Sequence, residues 1–386
     1  MPHTEKFDVI VVGAGPGGSL TGYLLSKHGF KTMIIEKKRI PRHKVCAGGL
    51  TKKALDILPF DITGIIEDYS YTAKFFVENK PVFTRTVDYP IVAMVMRDAF
   101  DHFMVKKAIT AGTVVLDGIT FRSLSGSTGN LNVETSEGTY RTRLVVGADG
   151  VNSKIAEALG LQASRNVMTA IEGEVYYGDS DTVKNLSQSF HIDFGAIPRG
   201  YGWIFPKSDH LSIGLVTTLN KIKGLKNYFK SYITSKDLCA NAEIRSLKGH
   251  FLPYRPDRRK VFSNNIGLLV GDAAGLADPV TGEGIYYAIR EAQIASDVIL
   301  QSFSLGYEHL EQYNNILKTE LINDLIFAQR MANMLYKCPA LGYWILKTYG
   351  KEILKYQVDI TAGKTTYSEV QHKVPGLSTI MSILFS

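Results

Sequence analysis

The residues with the clearest chemical use stand near the N-terminus, in Gly13-Ala14-Gly15-Pro16-Gly17-Gly18, where the spacing is G-x-G-x-x-G. Gly13 permits a tight turn, Gly15 lets a pyrophosphate approach the main chain, and Gly18 lets a helix pack closely on a strand. The flanking residues suit this use. Residues 7–12 read as a short buried strand, and an apolar-periodic helix follows through Leu20, Leu24 and Leu25. An anion would face the N-terminus of that helix. Eighteen residues after Gly18, a second apolar strand (residues 31–35) ends in Glu36, whose carboxylate suits a pair of ribose hydroxyls. A glycine-rich turn alone is common; with a carboxylate at this distance it reads as a dinucleotide site.

Two later strands end in comparable turns. Residues 144–146 run into Gly147-Ala148-Asp149-Gly150, and residues 266–270 into Gly271-Asp272-Ala273-Ala274-Gly275. After the latter come Pro279-Val280-Thr281-Gly282-Glu283-Gly284 and a helix from residue 285 to about 299. In this order the three motifs resemble those of para-hydroxybenzoate-hydroxylase-like flavoproteins, whose nucleotide site is glutathione-reductase-like. The resemblance implies FAD as cofactor, with Asp272 at its ribityl or pyrophosphate region and Gly284 and Ile285 in the turn and helix start beside it. It also implies that Arg97, in Met96-Arg97-Asp98-Ala99-Phe100-Asp101, contacts FAD and that the backbone near Phe121 meets the adenine side. Taken as bare residues, Arg97 is also a surface charge at a helix start, and Phe121 is also plain strand core.

A third group is Pro198-Arg199-Gly200-Tyr201-Gly202-Trp203-Ile204-Phe205-Pro206-Lys207. Strand side chains alternate with period two, so Tyr201, Trp203 and Phe205 share a face. That aromatic wall can line a long apolar pocket or simply be sheet core. The pattern P-x-x-Y-x-W-x-F-P, beginning at Pro198, resembles the signature of the geranylgeranyl reductase family. Cys46-Ala47-Gly48-Gly49-Leu50 is similar to that family's cysteine-glycine loop, with Ala47 where several relatives have Gly. The resemblance implies FAD-dependent reduction of C=C bonds in an isoprenoid chain of a lipid or prenyl diphosphate, with hydride from reduced flavin N5. It puts Pro198, Tyr201, Trp203 and Phe205 on the substrate, and Cys46, Ala47 and Gly49 at the cofactor. Cys46 is the catalytic candidate. Its side chain is either a small hydrophobe packing the loop or a thiol that, with a pKa near ~8.5, stays protonated at neutral pH and can donate.

Two other functions share these residues. Tyr201-x-Trp203-x-Phe205-Pro206 partly resembles the Trp-x-Trp-x-Ile-Pro signature of flavin halogenases, with Tyr for the first Trp and Phe for Ile. A flavin monooxygenase or halogenase would consume oxygen with its substrate, whereas a reductase turns over anaerobically. An FAD-stabilised lipid carrier would bind lipid with flavin that no donor reduces.

The elements that must position these residues give an α/β fold: a Rossmann-like FAD-binding domain, an inserted antiparallel-sheet substrate domain, and C-terminal helices. The expected FAD domain is discontinuous, over residues 1–75, 96–165 and 262–310. The sheet domain takes residues 76–95 and 166–261, and the helical region residues 311–386. In that region Leu317, Leu321, Leu325 and Ile326 share one helical face, followed by Met331, Met334 and Leu335, either as core or as the lining of a lipid tunnel. The apolar tail, residues 374–385, can pack on the body or touch a bilayer.

At 386 residues and 45% apolar composition the chain can bury a large core. Cys46, Cys239 and Cys338 have no metal-ligand spacing, so neither a metal site nor a disulfide framework is expected, and a reducing cytoplasm fits best. A strand pattern within about eight residues of the N-terminus leaves no room for an export signal, and no apolar run approaches the ~20 residues of a membrane-spanning helix. Membrane contact, if any, is peripheral. The net charge of +7 includes clusters at Lys37, Lys38 and Arg39 and at Arg255, Arg258, Arg259 and Lys260, which are either a solvated face or a site for a phosphorylated head group. No nucleic-acid recognition module is present. The electron donor is illegible, because the single nucleotide fingerprint is taken by FAD; NAD(P)H, ferredoxin and reduced flavin all stay open.

Overall fold

The computed structural model describes residues 5–161, 166–178, 181–254 and 256–373. The chain divides into two compact units, each gathered from three segments.

The first unit comprises Met1–His43, Asp98–Asn166 and Pro253–Leu325. Its eight-stranded sheet is parallel at the centre, where Gly267–Leu269, Gly138–Gly147, Lys6–Val12, Thr32–Glu36 and Val114–Asp117 lie side by side. Val9, Ile10, Val11, Ile34, Leu144, Val145, Val146 and Leu268 are all fully buried. Such unbroken apolar runs are what a parallel sheet covered on both faces requires. The helices Pro16–Lys27 and Ile285–Leu305 pack together, and Gly17 permits this, because a Cβ there would sit 3.2 Å from the carbonyl of Ala288.

The second unit comprises Lys44–Arg97, Val167–Leu252 and Ile326–Ser386. Its seven-stranded sheet runs in the order Ala242–Pro253, Val167–Tyr177, His210–Thr217, Gly200–Pro206, Ser189–Phe194, Thr72–Val77, Lys80–Thr86. Ser189–Phe194 and Thr72–Val77 pair in parallel, within a sheet otherwise antiparallel wherever its register is described. One face carries Ile171, Ile204, Ile213 and Leu215 and is covered by Phe229, Tyr232 and Ile233 of the helix Leu225–Ser235. A small sheet of Gly49–Thr51, Val92–Val95 and Ile66–Ser70 belongs to the same unit, and the helix Pro339–Thr361 rests on the two strands of residues 72–86.

These divisions fall elsewhere than the domains expected above. Residues 44–75 group with the second unit, because Gly49–Thr51 pairs with Val92–Val95 and Thr72–Val77 pairs with Ser189–Phe194. Residues 326–373 group there too. Leu317, Leu321, Leu325, Met331, Met334 and Leu335 are buried, Ile326 partly so. The tail from residue 374 lies outside the described residues.

Candidate active site

In the first unit the sheet brings the three turn motifs together. Val12 lies beside Gly147, and Gly147 beside Leu269, so the turns beginning at Gly13, Gly147 and Gly271 leave three adjacent strands at the same edge. Gly13 and Gly18 are required by the chain itself: a Cβ on Gly13 would lie 2.1 Å from the carbonyl oxygen of Ala148, and one on Gly18 would lie 2.0 Å from that of Gly13. Gly15 differs. A Cβ there would meet nothing nearer than the Arg42 guanidinium at 3.9 Å, so the space in front of it is open. Gly284 is similarly open, with Asp272 Oδ1 at 3.6 Å. Both helices that start here, Pro16–Lys27 and Ile285–Leu305, lack a side-chain cap and any acidic residue in the first turn. Their leading N–H groups and positive dipole ends suit an anionic ligand. Open glycines beside uncapped helix starts fit a dinucleotide pyrophosphate.

Glu36 is buried at the end of its strand. It accepts from Ala14 N and Lys38 N, each at 3.0 Å, and lies 3.4 Å from Arg42, which also pairs with buried Asp101 at 3.0 Å. Arg42 was not among the candidates read from sequence. Nor was Glu291, fully buried on the helix Ile285–Leu305, which accepts from Gly271 N at 2.5 Å and so holds the turn carrying Asp272. Burial pushes the Glu291 carboxyl well above its ordinary range, against the opposing effect of that hydrogen bond. Lys260, one of the cations considered for a head group, donates to the carbonyl of Ala274 in the same turn. Arg258 donates to Asn323 and Arg259 pairs with Asp257, so these three cations are engaged within the chain. Arg255 lies outside the described residues. Arg97 is buried at the first position of the helix Arg97–Thr110, which removes its reading as a surface charge, and Phe121 is buried at the start of Phe121–Ser127.

In the second unit Tyr201, Trp203 and Phe205 do share a face of Gly200–Pro206. Tyr201 and Trp203 have ring centroids 6.4 Å apart, Phe194 meets Tyr201 at 6.3 Å, and Phe190 meets Phe205 at 5.6 Å. Two glycines let the rings lie down. A Cβ on Gly214 would fall 2.1 Å from Trp203, and one on Gly49 would fall 2.6 Å from Phe205. The second contact ties the aromatic strand directly to the Cys46 loop. Pro198 stands just before that strand, and its carbonyl accepts from Thr217 Oγ1 at 2.7 Å.

The Cys46 loop is held by two buried ionisable groups, Glu172 and Lys207. Cys46 N donates to Glu172 Oε2 at 2.7 Å; Lys207 Nζ donates to the carbonyls of Ala47 at 2.8 Å and Val95 at 3.0 Å. Gly48, at φ +67°, has no room for a side chain, since a Cβ would lie 2.0 Å from the carbonyl of Val95. Cys46 itself is half-buried with a free thiol, and Gly48 N lies 3.4 Å from its sulfur. Glu172 is pushed up to about 7, first by burial and then by neighbouring Glu174, while Ser212, Cys46 N and Lys207 oppose the shift. Burial lowers Lys207, with Glu174 and Glu172 opposing. Sequence reading missed these groups, although Glu172 and Glu174 alternate in an otherwise apolar strand, a period-two signal of two acids facing one side.

Comparison with known proteins decides the family. Residues 6–205 match the FAD binding domain family. The digeranylgeranylglycerophospholipid reductase of Methanococcus vannielii is 32% identical over 83% of this chain and 85% of its own length. That of Methanocaldococcus jannaschii is also 32% identical, over 80% and 81%. This chain belongs to the geranylgeranyl reductase family. It is therefore a flavin-dependent oxidoreductase with FAD as cofactor, in agreement with the three turn motifs. The geranylgeranyl diphosphate reductase of Synechocystis is 28% identical over 77% of this chain and 76% of that one. Among solved structures, a geranylgeranyl bacteriochlorophyll reductase-like protein of Thermoplasma acidophilum superposes with a TM-score of 0.81 at 24% identity, over 97% of this chain and 99% of that one. The flavin-dependent brominase Bmp2 gives 0.74 at 18% identity, over 93% and 94%, and shares the fold.

Proposed function

We propose that this geranylgeranyl reductase family member saturates C=C bonds in the isoprenoid chain of a lipid or prenyl diphosphate. The observation that carries the reading is the joined pair of family motifs, in which Phe205 of the aromatic strand packs on Gly49 of the Cys46 loop. The archaeal relatives at 32% identity are named for reducing a digeranylgeranylglycerophospholipid, which supports a membrane lipid as substrate.

Gly13, Gly15, Gly18, Glu36, Asp272, Gly284 and Ile285 would hold the FAD, with Arg97 and Phe121 as further candidates and Arg42 beside the pyrophosphate. Bound and reduced, FAD supplies the hydride from its N5. The rest of the work falls to the chain. An isolated alkene has no polar handle, so its affinity must come from burying apolar surface, at about 25 cal/mol per Å². Tyr201, Trp203, Phe205, Phe190 and Phe194 offer such surface on one sheet face. The same face excludes water from the reacting carbons. Cys46, in a loop fixed at Cys46 N, the Ala47 carbonyl and the Gly48 carbonyl, which accepts from Val95 N, is the proposed donor of the proton that the second carbon needs. Among the described residues no helix is long and apolar enough to cross a membrane.

The test is to reduce the bound flavin chemically without oxygen, supply geranylgeranyl diphosphate or a digeranylgeranyl lipid, and follow the product by mass spectrometry. A gain of two hydrogens per double bond is expected from either or both. An oxygen-dependent, hydroxylated or halogenated product would overturn the reading.

A further inference from the structure

We propose that Glu172 is the proton reserve of the Cys46 loop and that Ser212, Glu174 and His210 refill it from solvent. This rests on the reductase reading above. Glu172 projects from the strand Val167–Tyr177 on the face shared with Trp203, since Glu172 lies opposite Gly214 and Gly214 opposite Trp203. Both its carboxyl oxygens are engaged, one with Cys46 N at 2.7 Å and the other with Ser212 Oγ at 2.9 Å. A loop that needed only an anchor could use a neutral amide there. Instead an ionisable acid is buried to 3% exposure, and Lys207 spends its hydrogen bonds on the carbonyls of Ala47 and Val95.

The route outward follows the same face. Ser212 lies opposite Glu174 in the strand register, and His210 Nε2 is 2.9 Å from Glu174 Oε2. His210 Nδ1 is 2.6 Å from Asp209, whose side chain is 70% exposed and therefore opens to water. Tyr176 stacks on the His210 ring at 4.5 Å and fixes its plane. The groups facing Glu172 are thus Glu174 on its own strand, Ser212 and His210 on the next, Lys207 from the connecting turn, and Cys46 from the loop. Burial and Glu174 hold the Glu172 carboxyl up to about 7. Burial would lower His210, but Glu174 and Asp209 outweigh it and raise the imidazole above its ordinary value. Glu172 therefore exchanges its proton near neutral pH, and His210 keeps its own to higher pH than an ordinary imidazole does.

Saturating one C=C bond consumes a hydride and a proton. The hydride comes from reduced FAD, which is oxidised. The proton leaves the Cys46 thiol for the second carbon; Glu172 reprotonates the thiolate and becomes a carboxylate. Protonated His210 restores Glu172 through Glu174 and Ser212, and recovers its own proton from water at Asp209.

The test uses the FAD-loaded protein carrying Cys239→Ser and Cys338→Ser, because both of those thiols are exposed. Two readings are taken against pH: the rate of Cys46 alkylation by iodoacetamide, and steady-state reduction of the isoprenoid over many turnovers with excess chemical reductant and no oxygen. The parent should show an inflection near pH 7 in both. Glu172→Gln keeps an acceptor for Cys46 N and cannot supply a proton. It should lose the inflection, lower turnover by ~10²-fold, and leave KM and FAD content unchanged. Glu172→Asp, which still titrates, should restore part of the rate and the inflection, and it serves if the amide variant fails to fold. Parent-like rates and pH profiles in Glu172→Gln would overturn the proposal and leave Glu172 a plain anchor. A parent that reduces no alkene would sink the reductase reading instead, while the alkylation profile would still decide whether Glu172 governs Cys46.

Discussion

Asp272 sits in a turn whose shape is set by other residues: Glu291 bonds the turn's first N–H and Lys260 the carbonyl of Ala274. Removing the Asp272 side chain should therefore cost FAD and spare the fold. Asp272→Ala is expected to purify with little yellow colour and with apo-protein stability within ~0.5 kcal/mol of the parent; full flavin occupancy would remove Asp272 from the cofactor site. His191 makes a different residue-scale prediction. It is buried with Nε2 unpartnered among the described residues, and burial, aided by Lys74 and Lys236, lowers it from 6.5 to about 4. The unfolded chain thus binds a proton that the folded one refuses. The sign is that of a depressed group: the stability is present above about pH 6.5 and lost as pH falls towards 4. His191→Phe should flatten that part of the acid limb in denaturant titrations. A parent and variant with parallel pH profiles would show that His191 takes up its proton as easily in the fold as outside it.

At the scale of the element, period-two alternation makes the aromatic wall of Gly200–Pro206 legible in the sequence, because alternation is a local property of one strand. What lies under the rings was not legible. Gly214 and Gly49 meet Trp203 and Phe205 only through strand register and loop placement, which join residues far apart in sequence. Lys207, one position beyond the signature, was visible as a residue, but its burial beneath the Cys46 loop was not. The basic run at 258–260 shows the same limit: its charge is visible in sequence, whereas the partners Asn323, Asp257 and the Ala274 carbonyl are not. The glycine contact can be tested. In Gly214→Ala the new methyl would overlap the Trp203 indole and also lie 2.6 Å from the main-chain carbonyl of Ile171, so ring and neighbouring strand must both shift, at a cost of about 3 kcal/mol. Trp203→Ala leaves a cavity instead, at about 3 kcal/mol or more if the site cannot collapse. Both variants should stay yellow and accept electrons normally, yet reduce the isoprenoid slowly or at altered positions along its chain. Wild-type rate and product distribution in both would reduce the aromatic strand to sheet core.

For the whole molecule, the consequential feature is that the nucleotide unit is gathered from three segments, each contributing one of the three turns. The turns were readable because each is a short local pattern of glycine and acid at a strand end. Their shared edge depends on the placement of Gly138–Gly147 between Lys6–Val12 and Gly267–Leu269, which no local pattern encodes. A ligand touching all three turns binds only when all three segments are in place, so FAD should act as a folding ligand for this unit. Its stabilisation follows RT ln(1 + [FAD]/Kd), about 2.7 kcal/mol at a hundredfold excess over Kd. Flavin-free protein should accordingly melt several degrees lower than the loaded form. Added FAD should restore the difference in a concentration-dependent way, and Asp272→Ala should show a much smaller shift at the same FAD concentration. The segments should also gain protection together: limited proteolysis within residues 147–161 and 271–284 should slow in parallel when FAD is added. Protection of only one of these stretches, or a melting temperature indifferent to FAD, would mean that the three turns do not bind the cofactor as a single site.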